Sequence, residues 1–334
     1  MKIITTFNSA FPFLLILFSS CFYSGAAWSE EVRVAVRAHS GVDRAMKKWG
    51  PTIDYLNQAL PEYQFKMLPY ISLKRQIADA RLNKFELILT NPATYVELEV
   101  LVGAKALLTL INNRRGTAQT QFGSVIFTHV DNTNILKLED LKGKSFMGVN
   151  PIGFGGWRVG LKVLKEHGID PDRDFTSVTF PGKQPRVVEA VLSKKVHAGM
   201  VRTDMLERLA DKGKVDLRTV RVLNPQSTQE FPFFRSSPLY PEWPFASLPK
   251  TDERLVAQVK RVLKQIGKNH TAAKAGKYMG WTDALDYEPV KKLLTDLGVE
   301  PFSKPSIMKP VLIGLLVITL ILIAIFFSRR YSNR

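Results

Sequence analysis

Cysteine is almost absent from this chain of 334 residues. Cys21 is the only one, so nothing beyond it can be held by disulfides or run thiol chemistry. Histidine is also scarce. His39, His129, His167, His197 and His270 are scattered, and none has the H-x-x-x-H spacing that places two rings on one helix face around a metal. There is no G-x-S-x-G nucleophile elbow and no phosphate-binding P-loop. An enzyme reading therefore has nothing specific behind it, and no metal or cofactor is expected. Acidic residues are outnumbered, 30 against 47 Lys and Arg, giving a formal charge of +17. No nucleic-acid-binding module accompanies that excess. The charge suits an anionic small ligand or an anionic membrane surface, or it is simply a basic, solvated surface.

Long apolar runs are confined to the two ends. Residues 311–327, VLIGLLVITLILIAIFF, carry no charge and are followed by Ser328, Arg329 and Arg330. Seventeen residues at about 1.5 Å each are just enough for a membrane-spanning helix. At the other end Lys2 precedes the apolar segment 11–18, and small residues follow at Ser24, Gly25, Ala26 and Ala27. This predicts a secretory signal peptide, residues 1–27, with an uncleaved signal anchor as the alternative. Cys21 follows a poor lipoprotein cleavage sequence. Arg329, Arg330 and Arg334 beyond the apolar run favour a cytoplasmic tail at 328–334. The expected placement is a bacterial inner membrane, with a single C-terminal span and the binding domain in the periplasm. Setting aside Lys2 and the three tail arginines leaves +13 on residues 28–327.

Between these ends the pattern alternates strand and helix. VRVAV at 32–36 predicts a strand, and helical spacing follows from Val42 to Leu60, with Gly50-Pro51 restarting the helix. Residues 64–68 and FELIL at 85–89 predict strands around a helix at 71–82. Asn91 caps the next helix and Pro92 occupies its first position. A second series runs through strands at 123–128, 145–149, 174–180 and 197–201, with helices at 157–167, 186–193 and 203–212. Residues 224–249 hold six prolines and six aromatics, which excludes a helix or a central strand there and predicts an ordered return to the first unit. Helices at 252–266 and 287–297 finish the domain. Two α/β units imply two lobes, with ligand binding at the carboxyl ends of strands.

FELILTNPATY at 85–95, GSVIFT at 123–128, 138–144 and VEAVLSKKVHAGMVR at 188–202 resemble the phosphonate-binding type of periplasmic binding protein. NPIGFGGW at 150–157, VRTD at 201–204, RVLNP at 221–225 and LYPEWPFA at 239–246 resemble the sensor domain of tetrathionate-sensor-like histidine kinases. The resemblance implies an α/β, two-lobed type II periplasmic binding protein fold with mostly parallel sheets, plus one C-terminal transmembrane helix. The divisions expected are lobe I from residues 28–121 and 222–300, lobe II from 122–221, and a tether at 301–310. Such kinases continue into a phosphoacceptor helix and an ATP-binding domain, whereas this sequence stops at Arg334. That departure implies a separate histidine kinase partner or a truncated kinase. An ABC permease is the alternative partner. The serine- and threonine-rich anion loop of the phosphonate binders is replaced here by GFGGW, so a phosphonate ligand does not follow.

The candidate ligand contacts lie at strand ends. Phe154, Gly155, Gly156 and Trp157 stand between a strand and a helix, where free amides can cradle an oxyanion, or where the chain merely makes a tight turn. Thr90, Asn91 and Tyr95 offer hydroxyl and amide groups at one strand end, and Tyr70 follows another; Asn91 can equally be only a cap. Ser124 sits near the first lobe crossing. Arg202 ends the strand HAGMV and can grip an oxyanion bidentately, or pair with Asp204. Gln184 and Arg186 begin a helix. Arg114 and Arg115 read as surface charges. The resulting expectation is a membrane-held periplasmic protein that captures a small anion between lobes hinged near 121–124 and 220–224.

Overall fold

The computed structural model describes residues 29–303. The signal segment, Cys21 and the apolar run 311–327 lie outside the described residues. No helix among the described residues is long and apolar enough to cross a membrane.

The chain opens with β1 (Glu30–Arg37), α1 (Val42–Ala59), β2 (Tyr63–Tyr70), α2 (Leu73–Arg81), β3 (Leu87–Leu89) and α3 (Pro92–Val102). It continues through β4 (Lys105–Arg114), β5 (Thr117–Gln119) and β6 (Gln121–Phe122). The second unit holds β7 (Ser124–His129), β8 (Ser145–Met147), a π-helical turn at Phe154–Arg158, α4 (Val159–Glu166), α5 (Pro171–Asp174) and β9 (Ser177–Thr179). It ends with α6 (Gln184–Leu192), β10 (Ala198–Arg202), α7 (Met205–Ala210) and β11 (Val220–Leu223). The return comprises β12 (Gln226–Thr228), β13 (Phe231–Arg235), β14 (Tyr240–Pro241), β15 (Pro244–Ser247), α8 (Glu253–Lys264), α9 (Thr271–Gly276), β16 (Tyr278–Asp283) and α10 (Glu288–Asp296).

Lobe I is a seven-stranded sheet in the order β16-β4-β15-β3-β1-β2, with β5 added to β4; lobe II is a five-stranded sheet in the order β11-β7-β10-β8-β9. Alternation along the strands feeds two cores per sheet. In lobe I, Val32, Val34 and Val36 face the cluster around Trp49, Leu56 and Tyr278, while Ala35 and Ile88 face the one around Val96 and Leu294. In lobe II, Ile126 and Met200 turn one way and Phe127 and Val201 the other.

Several expectations need correction. The sheets are mixed rather than mostly parallel. β1 is parallel to β2 and β3, but β15 is antiparallel to both β3 and β4, and β7 is antiparallel to β10 and β11. The cause is the chain path: β15 arrives from the other lobe, enters at the cleft end and must run downward between strands that run upward. It is also a central strand despite its proline, because Pro244 is its first residue, where the missing N–H is tolerated. The helix α1 is continuous through Pro51; Trp49, Thr52, Ile53 and Leu56 are buried around it, and that burial outweighs one lost backbone bond. The strand expected over 174–180 shrinks to three residues, preceded by a helical turn.

The second crossing lies further along than 220–224. The β12–β13 hairpin still hangs on lobe II, where the Phe234 N–H donates to Glu207 at 2.6 Å, Ser236 bonds Ile126, and the Ser237 hydroxyl accepts from the Ser124 N–H. The chain passes back only where β14 pairs with β6, at Tyr240–Phe122.

Candidate functional site

The carboxyl ends of β1, β2, β3 and β4 in lobe I face those of β8, β9 and β10 in lobe II, because Arg202 at the end of β10 reaches Glu242 just before β15. Glu242 is fully buried. It also accepts from Asn112 on β4 at 2.8 Å, and Arg114 lies 4.0 Å away. Burial alone would resist its ionisation, but Arg202 and Arg114 outweigh that and hold its pKa below the ordinary carboxylate value. Arg114 in turn stands 3.4 Å from Asp204 of lobe II. Burial, with Arg202 beside it, lowers the Arg114 guanidinium to about 10. Asp204 holds a left-handed backbone, φ 72°, and its carboxylate also meets Arg208 at 2.7 Å. A non-glycine residue in that conformation marks a position the surroundings have over-determined.

Aromatic rings wall the same recess. The Arg202 guanidinium lies 3.9 Å from the centre of the Phe122 ring. Trp243 stands 5.5 Å from His39 and 6.5 Å from Trp49. The Lys48 ammonium sits 4.4 Å from the Trp49 ring and 5.7 Å from Trp243. It makes no ion pair among the described residues. Burial, then Arg114 and Arg202, push Lys48 down to about 7. His39 is open to solvent yet ringed by protein, as a residue on a cleft wall should be; that surround and the nearby Lys48 lower it to about 4.

The π-helical turn abuts this cluster. A Cβ on Gly155 would lie 2.7 Å from the Phe122 ring and 3.5 Å from the Arg202 Cβ. The first helical bonds here are from the Arg158 and Val159 amides to Gly153 and Phe154, so the amides of residues 154–157 have no partner within the helix. The positive end of the helix therefore adds to the cationic face.

The predicted contacts divide into those at the cleft and those elsewhere. Arg202 is at the cleft with Gly155 against it, Gly156 packs on Val149 of lobe II instead, and Gln184 supports Arg202 by accepting from its backbone N–H at 3.0 Å. Thr90 is fully buried at the end of β3, and its hydroxyl has no partner among the described residues. Asn91 acts as the cap of α3, accepting from Thr94 N–H at 3.1 Å. The Ser124 hydroxyl donates to the Gly155 carbonyl at 2.5 Å, so it braces the turn. Phe154 packs against Phe122 and Tyr240, and Trp157 against Phe180 and Phe146, both in cores. Tyr70 donates to Asp79 at 3.1 Å. Tyr95 donates to Glu99 and accepts from Ala106 N–H, at the start of β4. Its ring stands 4.9 Å from that of Tyr287, whose hydroxyl donates to the Glu242 carbonyl at 2.7 Å, so Tyr95 packs behind the cleft wall rather than facing a ligand. It also lines a cavity of 310 Å³ with Glu99, Asp286 and Tyr287.

Lys48, Arg114, Glu242, Trp243 and His39 are the candidate cleft residues that sequence reasoning missed. Arg114 is no surface charge: its side chain is 17% exposed and inside the cleft. The signal was available, since KALLTLINNR ends a strand as HAGMVR does.

Residues 35–304 match the model of the family described as ABC transporter, phosphonate, periplasmic substrate-binding protein. The chain belongs to this family. It is a periplasmic solute-binding protein of the phosphonate-binding type, in a family of binding proteins rather than enzymes. Among curated proteins it is 30% identical over 278 residues to the tetrathionate sensor histidine kinase TtrS of Salmonella typhimurium, matching 82% of this chain and 45% of the relative. The chain thus spans less than half of that protein. Among solved structures, XAC2383 from Xanthomonas citri bound to ATP gives a TM-score of 0.63 at 17% identity, covering 79% of this chain and 94% of the other. PhnD1 from Prochlorococcus marinus in complex with methylphosphonate gives 0.61 at 14% identity, covering 81% and 99%. These likenesses show the two-lobed α/β binding-protein fold.

Proposed function

We propose that this binding protein captures a small anion, a sulfur oxyanion or a phosphonate-like group, between its lobes and signals its presence to a partner. The observation that carries this reading is an excess of positive charge in a recess shared by both lobes. Lys48, Arg114 and Arg202 converge there beside unpaired helix amides, and Glu242 and Asp204 offset only part of that charge. Buried charge left without a counterion is expensive, so an anion bound there gains what the empty cleft lacks. The aromatic walls favour a polarisable ligand. The similarity to a tetrathionate sensor supports a sensing role, with a histidine kinase as partner and the run 311–327 as a membrane anchor. The family description supports the second reading, delivery of the solute to an ABC permease.

The test is a thermal-shift panel on the full-length chain in neutral detergent, with tetrathionate, thiosulfate, sulfate, methylphosphonate, phosphate and malonate. A ligand at 100 times its dissociation constant adds about 2.7 kcal/mol. The expected result is stabilisation by one anion class, lost in Arg202→Gln and Arg114→Gln. A panel in which no anion raises the midpoint would sink the reading.

A further inference from the structure

Lys48 is a cation of the cleft wall with no ion-pair partner among the described residues. Arg202 is held by Glu242 and stacked on Phe122, and Arg114 leans on Asp204. The Lys48 amine has only the faces of Trp49 and Trp243. The charged groups facing it are almost all positive. Arg114 comes from β4, Arg202 from β10 and Lys277 from the end of α9; His39, from the loop after β1, is neutral above about pH 4, and Arg44, Lys47 and the carboxylate Asp43 share its own helix. Glu242, before β15, is the only carboxylate among the principal charges acting on Lys48, and it is already engaged by Arg202 and Asn112. The other elements packed on α1 meet it further along: β2 through the Phe65 backbone at Asn57, and α8 through Gln265 at Tyr55.

An ammonium in that position repels its neighbours until a negative charge arrives. We propose that anion capture is coupled to protonation of Lys48, whose ammonium then serves as a third cationic contact to the ligand, seated against the two indoles. This deepens the anion-binding reading and rests on it. Without ligand, burial and two guanidiniums hold the amine near the point of half-protonation at neutral pH, about 7. A bound anion within a few ångströms favours the charged form again and raises that midpoint. Both indole faces attract the cation and not the neutral amine. By linkage, affinity is greatest below the ligand-free midpoint. It then falls as pH rises from about 7, by up to tenfold per pH unit, until the midpoint of the bound state is passed. His39, held near 4, titrates well below this window.

Thiosulfate is the probe, because it remains a dianion throughout the range and carries no titrating proton of its own. Its binding to the full-length chain is followed by calorimetry at several pH values above 7, in two amine buffers of different ionisation heat. The expected result is uptake of a fraction of a proton per ligand in the wild type. Lys48→Arg, which stays charged, should bind with no uptake and little pH dependence. Lys48→Gln should bind weakly at every pH. In parallel, ¹³C-methylated lysine resonances of the ligand-free chain are titrated, with Lys48 assigned by its absence from Lys48→Arg. It should titrate near neutrality and move up with thiosulfate. Binding without proton uptake, uptake that survives in Lys48→Arg, or a ligand-free Lys48 that titrates with the surface lysines would each overturn the coupling alone. If thiosulfate and the other anions of the panel all fail to bind, the anion-binding reading falls and takes the coupling with it.

Discussion

Replacing Glu242 by glutamine keeps the shape of the cleft and removes the carboxylate that both Arg202 and Arg114 reach. Two guanidiniums then share a recess in which Asp204 is the remaining counterion. Removing one partner of a buried pair typically costs about 3–5 kcal/mol, and denaturant unfolding of Glu242→Gln should show a loss of that size. Added thiosulfate should recover part of it. A loss below about 1 kcal/mol, the range of exposed pairs, would mean that water enters the recess freely. Lys48 gives a second prediction, with its sign fixed by linkage. Its folded pKa, about 7, lies below the unfolded lysine value of about 10.4. Between those values the unfolded chain binds more protons, so the ligand-free protein gains stability as pH climbs from 7 toward 10. Thermal melts of Lys48→Met should lack that gain and show a smaller penalty at pH 7 and below. Parallel curves for the two proteins would count against the environment described for Lys48.

The π-helical turn at Phe154–Arg158 fits its place only because two positions lack side chains. A Cβ at Gly155 would meet the Phe122 ring at 2.7 and 3.1 Å, and one at Gly156 would meet Val149 at 2.7 and 2.8 Å. Gly155→Ala should therefore fold, lose about 1–3 kcal/mol through overpacking, and displace the ring beneath Arg202. Weaker anion binding in calorimetry would follow; unchanged affinity would place the ligand elsewhere. GFGGW marked the passage from strand to helix, not the π-helical turn it forms; the Asn91-Pro92 start of α3 and the glycine that closes α4, Gly168 at φ 69°, were legible. These features are local, and local rules read them. What escaped was set by chain path. β4 and β16, adjacent in the sheet, are about 170 residues apart in sequence, and β15 takes a central place because of where the chain re-enters. Lys48 and Arg114 belong to the site only because α1 and β4 present their cleft ends toward a strand of the other lobe. No spacing within either segment encodes that meeting.

At the scale of the molecule, the lobes share more than a cleft. Phe154 and Val159 of lobe II lie in the same buried cluster as Tyr95, Ile88 and Tyr287 of lobe I, joined through Phe122 and Tyr240 in the crossings. Two ion pairs reinforce that contact: Arg158 with Glu97 at 3.0 Å, both nearly inaccessible, and Lys162 with Asp296 at 3.1 Å. Arg115 and Asp211 pair at 2.6 Å where β4 turns toward α7, but that pair is exposed and worth little. A continuous apolar core between two sheets predicts that they unfold as one unit. In urea, tryptophan fluorescence, which reports mainly Trp49, Trp243 and Trp281 of lobe I, should fall together with the far-ultraviolet dichroism of both lobes. Phe154→Ala opens a cavity at the junction and should cost about 3–5 kcal/mol, lowering both signals' midpoints equally. If the two signals separate in the wild type, the lobes are independent and the shared cluster is a contact rather than a core. If they separate only in Phe154→Ala, that side chain is the coupling itself. An anion bridging Lys48 and Arg202 would then stabilise both sheets in the wild type, but the variant only locally.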